Sequence, residues 1–316
     1  MALNTEIPWT RLVRYTSTQG GPVKYGEPIL GQDIADIEQL AKKGELQVKQ
    51  LAGNDPFSLQ VTAAVERVHQ LFGPLQPKDV PIVRCVGYNY TSHSKYRLLS
   101  YERELPYTYH CLVLETGRPI PTFPTVFTKP APAVADHGSP IPIPKFAQEQ
   151  CDYEGELVVV IGRDGKNISE EDALDYVAAY TVGNDVSARD WQREPGKAGP
   201  VPQWSFSKSF DKYAPLGPCL VRQDLLDAAD TLSLRTIVNG EVRQHSHTSD
   251  LCFGVRKLVA FCSRGQTLQK GSLIMTGTPG GVGLFMKPPQ FLKDGDEVCV
   301  EIERIGTLRN TISFEK

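Results

Sequence analysis

The sequence predicts a mixed α/β fold that is rich in β-structure, arranged as a β-roll or sandwich. Short apolar runs recur along the 316 residues, and Gly, Asp, Asn or Pro bound each of them. Only short helical stretches separate these runs, whereas a doubly wound sheet needs regular crossover helices. A break at Gly73-Pro74 and Pro77 divides the chain into a small N-terminal domain over 1–75 and a larger domain over 80–316.

The N-terminal part contains two predicted strands and one predicted helix. The strands cover Arg11–Tyr15 and Pro22–Tyr25, on either side of a turn with two glycines. The helix covers Val61–Phe72, because its apolar residues recur at three- and four-residue spacing. A strand over Ile82–Val86 then opens the larger domain.

The larger domain contains most of the predicted strands. Each is a short apolar or alternating run, and they cover Glu156–Ile161, Tyr180–Val182, Ser233–Val238, Ser272–Thr276 and Glu297–Ile302. Short helices are predicted between them, at Glu170–Asp175 and Val255–Phe261.

Composition excludes several classes of function. Lys and Arg total 34 against 37 for Asp and Glu. The chain therefore lacks the excess of basic residues that would indicate a nucleic-acid partner. No apolar run is long enough for a membrane helix, which predicts a soluble, cytoplasmic protein. The seven cysteines form no CxxC pair, which argues against a zinc cluster and a disulfide framework.

The string DYEGELVVVIG, residues 152–162, carries the first chemical signal. Side chains two apart in a strand share a face, so Glu154 and Glu156 point the same way at the start of an apolar strand. Two buried carboxylates side by side are costly unless a cation neutralises them. This string alone is equally compatible with a metal site and with a solvent-exposed strand end.

A second string, GNDVSARDWQ, adds a third carboxylate. Asp185 follows an apolar strand, and no His or Cys lies beside the three acidic residues. Such an oxygen-only set suits Mg²⁺, Mn²⁺ or Ca²⁺ better than zinc or copper. Arg189 and Gln192 follow one turn apart, and this Arg is either a surface charge or a clamp for a substrate carboxylate.

Three further strings are weaker signals. Lys208 stands among aromatic and small residues in WSFSKSF, and no other lysine in these strings is expected near the metal. The loop TGTPGGVG, from Thr276, lacks the Walker order and is interpreted as a tight turn that approaches a ligand. His93 in RCVGYNYTSH is either structural or a general base.

Taken together, these strings resemble the fumarylacetoacetate hydrolase family. The resemblance covers about residues 80–314, and its pieces are CVGYNYTSH, FTKPAPAV, DYEGELVVVIG, GNDVSARDWQ, WSFSKSFD, VNGEVRQ, IMTGTPGGVG and LKDGDEV. Eight strings in the family's order are far more specific than any one of them. The resemblance implies a β-roll catalytic domain, and a homodimer.

The resemblance also implies a role for each candidate residue. Metal binding, commonly of Mg²⁺, falls to Glu154, Glu156 and Asp185. Substrate binding falls to Arg189, Gln192, Thr276 and Gly277, and catalysis to His93 and Lys208.

The implied substrates are small 2-oxo or 1,3-dicarbonyl acids. The metal and Lys208 would stabilise an enolate in acylpyruvate hydrolysis or in oxaloacetate decarboxylation or tautomerisation. Two alternatives stay open. One is a biosynthetic hydrolase, lyase or isomerase with the same metal site, and the other is a non-catalytic family member.

One departure from the family pattern affects the catalytic base. The family places a Glu three residues after the His, but Tyr96 occupies that position here, and Glu115 lies 22 residues after His93. An insertion of 19 residues, near 94–113, accounts for this difference. It is either a lid over the substrate or a retained intron. Both interpretations pair His93 with Glu115 as the catalytic dyad.

Overall fold

The computed structural model describes residues 7–31, 37–90 and 122–316. The first strands, from the N-terminal part, are β1 (Arg11–Thr16), β2 (Lys24–Pro28), β3 (Gln47–Ala52), β4 (Gln60–Arg67) and β5 (Gln70–Phe72). The next strands are β6 (Val83–Gly87), β7 (Thr125–Lys129), β8 (Val134–Asp136), β9 (Pro140–Ile143), β10 (Cys151–Asp152), β11 (Gly155–Ile161), β12 (Gly165–Lys166), β13 (Val177–Asn184) and β14 (Ser187–Ala188). The last are β15 (Ala214–Arg222), β16 (Ser233–Val238), β17 (Glu241–His247), β18 (Thr267–Leu268), β19 (Leu273–Met275), β20 (Glu297–Ile302) and β21 (Gly306–Phe314).

The helices are short. The α-helices are α1 (Ile37–Lys42), α2 (Arg189–Arg193), α3 (Pro195–Ala198), α4 (Trp204–Ser207) and α5 (Val255–Ser263). Single 3₁₀ turns occur at Pro77–Asp79, Ala131–Ala133, Lys145–Ala147, Ala173–Tyr176, Gln223–Leu225, Thr248–Asp250 and Gly283–Phe285. None of the helices in the described ranges is long and apolar enough to cross a membrane.

Two sheets form the body of the protein. The large sheet has the strand order β4-β3-β2-β1-β15-β13-β11-β19-β6-β7, with β5 paired to β1 and β8 to β15. The second sheet has the order β17-β16-β20-β21-β9. The β-rich α/β fold predicted from the sequence is therefore confirmed.

Strand β11 shows how the core is divided. Its seven residues are all buried, and the last five alternate between two apolar clusters. Leu157, Val159 and Ile161 join residues of the second sheet, such as Leu234. The alternate residues of the strand pack on the other side of the large sheet. This alternation follows from the two-residue period of a strand, and it makes Gly155 face the second sheet.

The helix predicted over Val61–Phe72 is wrong. This stretch forms β4 and β5, and Val61 and Val65 are 63% and 57% exposed on an edge strand. A spacing of four residues satisfies the period of a strand as well as that of a helix, and β-branched residues favour the strand. Pairing with β3 therefore decides the structure of this segment.

The other predicted elements are largely confirmed. The strands at Ser233–Val238 and Glu297–Ile302 have the predicted bounds, and β2 begins two residues later than predicted. The boundary between the domains at 1–75 and 80–316 stays a prediction, and the strands on its two sides share the large sheet, because β1 pairs with β15. The insertion near 94–113 lies outside the described residues.

Candidate metal-binding active site

The candidate site lies where one strand begins and its neighbours end. Strand β11 runs antiparallel to β13 and β19, so its first residues lie beside their last ones. The backbone N–H of Asp185 donates to the carbonyl oxygen of Glu154 over 2.8 Å. The Asn184 side chain accepts a bond of 2.9 Å from the Glu154 N–H. These bonds hold the two acidic segments side by side.

Three carboxylates converge at this point. Glu154, Glu156 and Asp185 are buried, and each offers an oxygen within 4.8 Å of the other two. Burial, together with the charges of Asp185 and Glu154, raises the pKa of Glu156 well above its usual value. Glu156 accepts a bond of 2.7 Å from the Gly277 N–H but forms no ion pair within the described ranges.

Two lysines neutralise part of this charge. Lys208 donates to Glu154 Oε2 over 2.8 Å and to Asp185 Oδ2 over 2.6 Å, while Lys129 forms an ion pair with Asp185 Oδ1. Burial alone would raise the pKa of Asp185, but the two lysines outweigh it and lower that pKa. Burial would lower the pKa of Lys208, but Asp185 and Glu154 raise it.

Lys129 was missed by the sequence analysis, which expected no signature lysine other than Lys208 near the metal. It ends β7, is completely buried, and also donates to two backbone carbonyl oxygens. The expectation about a single lysine is therefore wrong. The string FTKPAPAV contained this residue, but the string gives no indication that β7 ends beside Asp185.

The donor set fits a divalent cation. All three groups are carboxylates, and the side chain of Glu156 lies in the interior without a cationic partner among the described residues. A buried carboxylate in that state is costly, and a hard cation with oxygen ligands removes the cost. The charge and chemistry of the cluster therefore match a group such as Mg²⁺ or Mn²⁺.

Arg189 is held in place by other residues. Its Nε donates to Asp152 Oδ2 over 2.8 Å, and its Nη1 lies 2.6 Å from Glu154 Oε1 and 3.3 Å from Gln192 Oε1. Its buried Nη2 has no hydrogen-bond partner among the described residues. Asp152 itself also accepts backbone bonds from Gly283 and from the next residue. The Nη2 nitrogen of Arg189 is thus available to a ligand.

Different residues of the glycine-rich loop contact the metal-binding strand and line the cavity. Thr276 is buried and donates its hydroxyl to the carbonyl oxygen of Leu157 over 3.0 Å. Gly277 has a φ of +101°, and a Cβ there would lie 2.9 Å from Asn89 Cβ. The cavity beside the carboxylates is lined by the next residue, Thr278, and by the two after it. The substrate-binding roles of Thr276 and Gly277 stay predictions.

A cavity of 330 Å³ opens beside the cluster. Its polar side carries Glu154, Arg189, Gln192 and Lys208. Its apolar side includes Tyr88, Phe127, Trp204, Val282 and Leu284. The Trp204 ring lies 5.1 Å from that of Tyr88 and 5.4 Å from that of Phe127, both edge to face. The predicted dyad of His93 and Glu115 lies outside the described residues.

The comparisons with known proteins identify the family. The family model for the C-terminal domain of fumarylacetoacetate hydrolase matches residues 82–313 of this chain. The chain belongs to this family, as the resemblance implied, and it is an enzyme of that family.

Individual relatives then give the range of activities. A mitochondrial oxaloacetate tautomerase of Xenopus laevis is 46% identical over 229 residues, which are 72% of this chain and 64% of that protein. The caffeoylpyruvate hydrolase of Neonothopanus nambi is 36% identical over 98% of this chain and 94% of its own. The structure of a 2-hydroxyhepta-2,4-diene-1,7-dioate isomerase from Mycobacterium marinum is similar, with a TM-score of 0.72, 33% identity, and coverage of 97% and 99%.

Proposed function

We propose that the chain is a divalent-metal-dependent hydrolase that cleaves the C–C bond of an acylpyruvate with a flat, apolar acyl group. The observation that carries this proposal is the arrangement of one cavity. Glu154 of the carboxylate cluster lines one side of it together with Arg189 and Lys208, and aromatic rings line the other. A pyruvate moiety needs the first side, and an unsaturated or aromatic acyl group suits the second. The caffeoylpyruvate hydrolase relative supports this choice, since it aligns over 98% of the chain.

Glu154, Glu156 and Asp185 are proposed to hold the metal. When bound, the cation supplies Lewis acidity, which stabilises negative charge on substrate oxygens. The acidic neighbours Asp185 and Glu154 raise the pKa of Lys208 and so favour its protonated form. It therefore acts as a fixed positive charge and not as a base.

Arg189 is proposed to bind the substrate carboxylate through Nη2, the guanidinium nitrogen that has no partner among the described residues. Gln192 is proposed to assist, since it lies one turn further along α2 and lines the same cavity. Asp152 fixes the guanidinium, so the direction of this donor is set before substrate binds.

The proposed hydrolysis needs only water as the second reactant. Water adds to the acyl carbonyl carbon, and the bond between that carbon and the pyruvate methylene breaks. The electron pair becomes the enolate of pyruvate, which takes up a proton to give pyruvate beside the released carboxylic acid. His93, with Glu115, is proposed to take the proton from water and to return it to carbon.

A second candidate is tautomerisation or decarboxylation of oxaloacetate. The specific observation in its favour is Arg193, which lines the cavity, is exposed, and forms no ion pair within the described ranges. A second substrate carboxylate would find a partner there. The Xenopus tautomerase supports this candidate.

A substrate panel separates the two candidates. Purified protein with Mg²⁺ or Mn²⁺ is assayed against a cinnamoyl-type acylpyruvate, acetylpyruvate, fumarylpyruvate and oxaloacetate. We expect the highest kcat/KM for the cinnamoyl-type substrate. A preference of about 10-fold or more for oxaloacetate, a difference of about 1.4 kcal/mol in transition-state binding, would favour the second candidate.

Lys208→Met tests the proposed enolate stabilisation, with the exposed Lys293→Met as control. Removal of Lys208 is expected to lower kcat by about 100-fold or more with little change in KM, as for an interaction made in the transition state. A change confined to KM would make Lys208 a binding residue.

The finer properties are also proposals. Mg²⁺ is proposed as the ion, with Mn²⁺ or Ca²⁺ as alternatives, because all three ligand groups are carboxylates and the family resemblance implies magnesium. A cytoplasmic homodimer is proposed from the family resemblance and the composition. Metal analysis of the purified protein, light scattering and cell fractionation test these three points separately.

A further inference from the structure

Gln244 connects the two sides of the candidate site. It lies on β17 of the second sheet and is 1% exposed. Its Oε1 accepts a bond of 3.0 Å from the Gly155 N–H. Its Nε2 donates to Thr278 Oγ1 and to the carbonyl oxygen of Pro279, both over 2.8 Å. Both N–H groups of the amide and its oxygen are therefore used in these three hydrogen bonds.

The contacts form a closed ring. Thr278 donates its hydroxyl to the carbonyl oxygen of Gly155 over 3.0 Å, while it accepts from Gln244. Gly155 thus has its N–H bound by Gln244 and its carbonyl bound by Thr278. Each hydroxyl and amide orientation is fixed by the next, so the ring has one arrangement of donors and acceptors.

The ring joins segments with different proposed tasks. Gly155 stands between Glu154 and Glu156, two of the proposed metal ligands. Thr278 and Pro279 line the cavity on the side of the glycine-rich loop. A shift of the loop would therefore move the backbone that carries the carboxylates.

Two glycines show how closely the second sheet approaches. A Cβ on Gly155 would lie 2.1 Å from Thr236 Oγ1, on β16. A Cβ on Gly281 would lie 2.0 Å from the carbonyl oxygen of Arg243, and Gly281 has a φ of +101°. The hairpin of β16 and β17 thus lies directly against the metal-binding strand and the loop. Gln244 makes the polar contacts across this close interface.

We propose that Gln244 is a positioning residue that fixes the substrate-facing loop to the metal-binding strand and so sets the geometry of both. The proposal rests on the proposed metal site at Glu154, Glu156 and Asp185. A glutamine with a purely structural role would affect stability alone. Gln244 is expected to affect metal affinity as well, because it binds the backbone of Gly155, between two proposed ligands. Mutation of an outer-shell partner of a metal ligand typically lowers metal affinity by about 10–100-fold.

The test measures Mn²⁺ binding by electron paramagnetic resonance of the free ion, and needs no turnover. Gln244→Met removes all three polar contacts at similar length, and we expect the Kd for Mn²⁺ to rise about 10-fold. Gln223→Met is the matched control. It removes another buried amide, which donates to the carbonyl oxygen of Asp227, and is expected to lower Tm without changing the Kd.

Two threonine variants keep the test decisive if Gln244→Met does not fold. Thr278→Ser keeps the hydroxyl and is expected to bind Mn²⁺ as the wild type does, whereas Thr278→Val removes it and should raise the Kd. In the double variant of Gln244→Met and Thr278→Val, the loss should not exceed the larger single loss, because both changes open the same ring.

Three results would count against the inference. If Gln244→Met or Thr278→Val binds Mn²⁺ with the wild-type Kd, Gln244 has no positioning role. If the double loss equals the product of the single losses, the two residues act separately and the ring is not one unit. If the wild type itself binds no Mn²⁺, the proposed metal site fails, a result distinct from the first two.

Discussion

Replacing Glu156 with Gln separates metal binding from folding. Gln keeps an oxygen that can accept from the Gly277 N–H, and it removes a buried carboxylate that has no cationic partner within the described ranges. In the presence of a chelator the Glu156→Gln variant should therefore be at least as stable as the wild type. With metal present the order should reverse, because only the wild type retains all three ligands.

The size of the reversal follows from linkage. A cation at about 100 times its Kd stabilises the folded state by about 2.7 kcal/mol. An unfolding entropy of about 2.1 cal/mol/K per residue gives about 0.66 kcal/mol/K for the 316 residues. The wild type should then gain about 4 °C in Tm on addition of Mg²⁺, and the variant close to none.

Thermal unfolding with and without Mg²⁺, each measured after chelator treatment, is the assay. Glu45→Gln, at an exposed glutamate, serves as control and should show the wild-type gain. The reasoning is refuted if Glu156→Gln gains as much as the wild type, or if it loses several degrees in chelator.

Three further changes test charges and packing, two of them beside the site and one at the contact of α1 with β21. Lys129→Met leaves Asp185 with one cation in place of two, and should cost about 3 kcal/mol, seen as a loss of about 5 °C in Tm; a loss under 1 °C would contradict it. Glu38→Gln removes the ion pairs with Arg309 and Lys42, which together outweigh burial and lower the pKa of Glu38. Because that pKa is lowered on folding, the wild type should be more stable by about 1–2 kcal/mol at pH 7, and this advantage should shrink as pH falls below 4.5 in urea titrations. Gly155→Ala brings a Cβ against Thr236 Oγ1 and should cost about 1–3 kcal/mol, of which Thr236→Ala should restore a part.

The sequence predicts the convergence of the acidic residues because the signal is local. Glu154 and Glu156 share a face through the strand period, and Asp185 directly follows the strand that pairs with theirs. Eight ordered strings also identify the family. These parts depend on residues that are close in sequence or in one paired register.

The parts that sequence reasoning missed depend on long-range packing. Lys129, the last residue of β7, pairs with Asp185, and Gln244 reaches Gly155 from another sheet, 89 residues away in the sequence. The Val61–Phe72 stretch was misassigned because the four-residue spacing of Val61 and Val65 fits a strand as well as a helix, and because the chain leaves the strand between Arg67 and Gln70. A contact between distant strands leaves no period to detect in a single sequence.

The pairing of β1 with β15 has a consequence for fragments of this chain. The family match starts at residue 82, yet β15 places Leu220 and Val221 opposite Leu12 and Arg11 of β1. Cut at the start of the match, the chain would expose an apolar, unpaired edge to water. Such an edge recruits strands from other molecules. A recombinant piece made of the family match alone should therefore self-associate, and grafting this catalytic part onto another protein requires that β1 be carried with it.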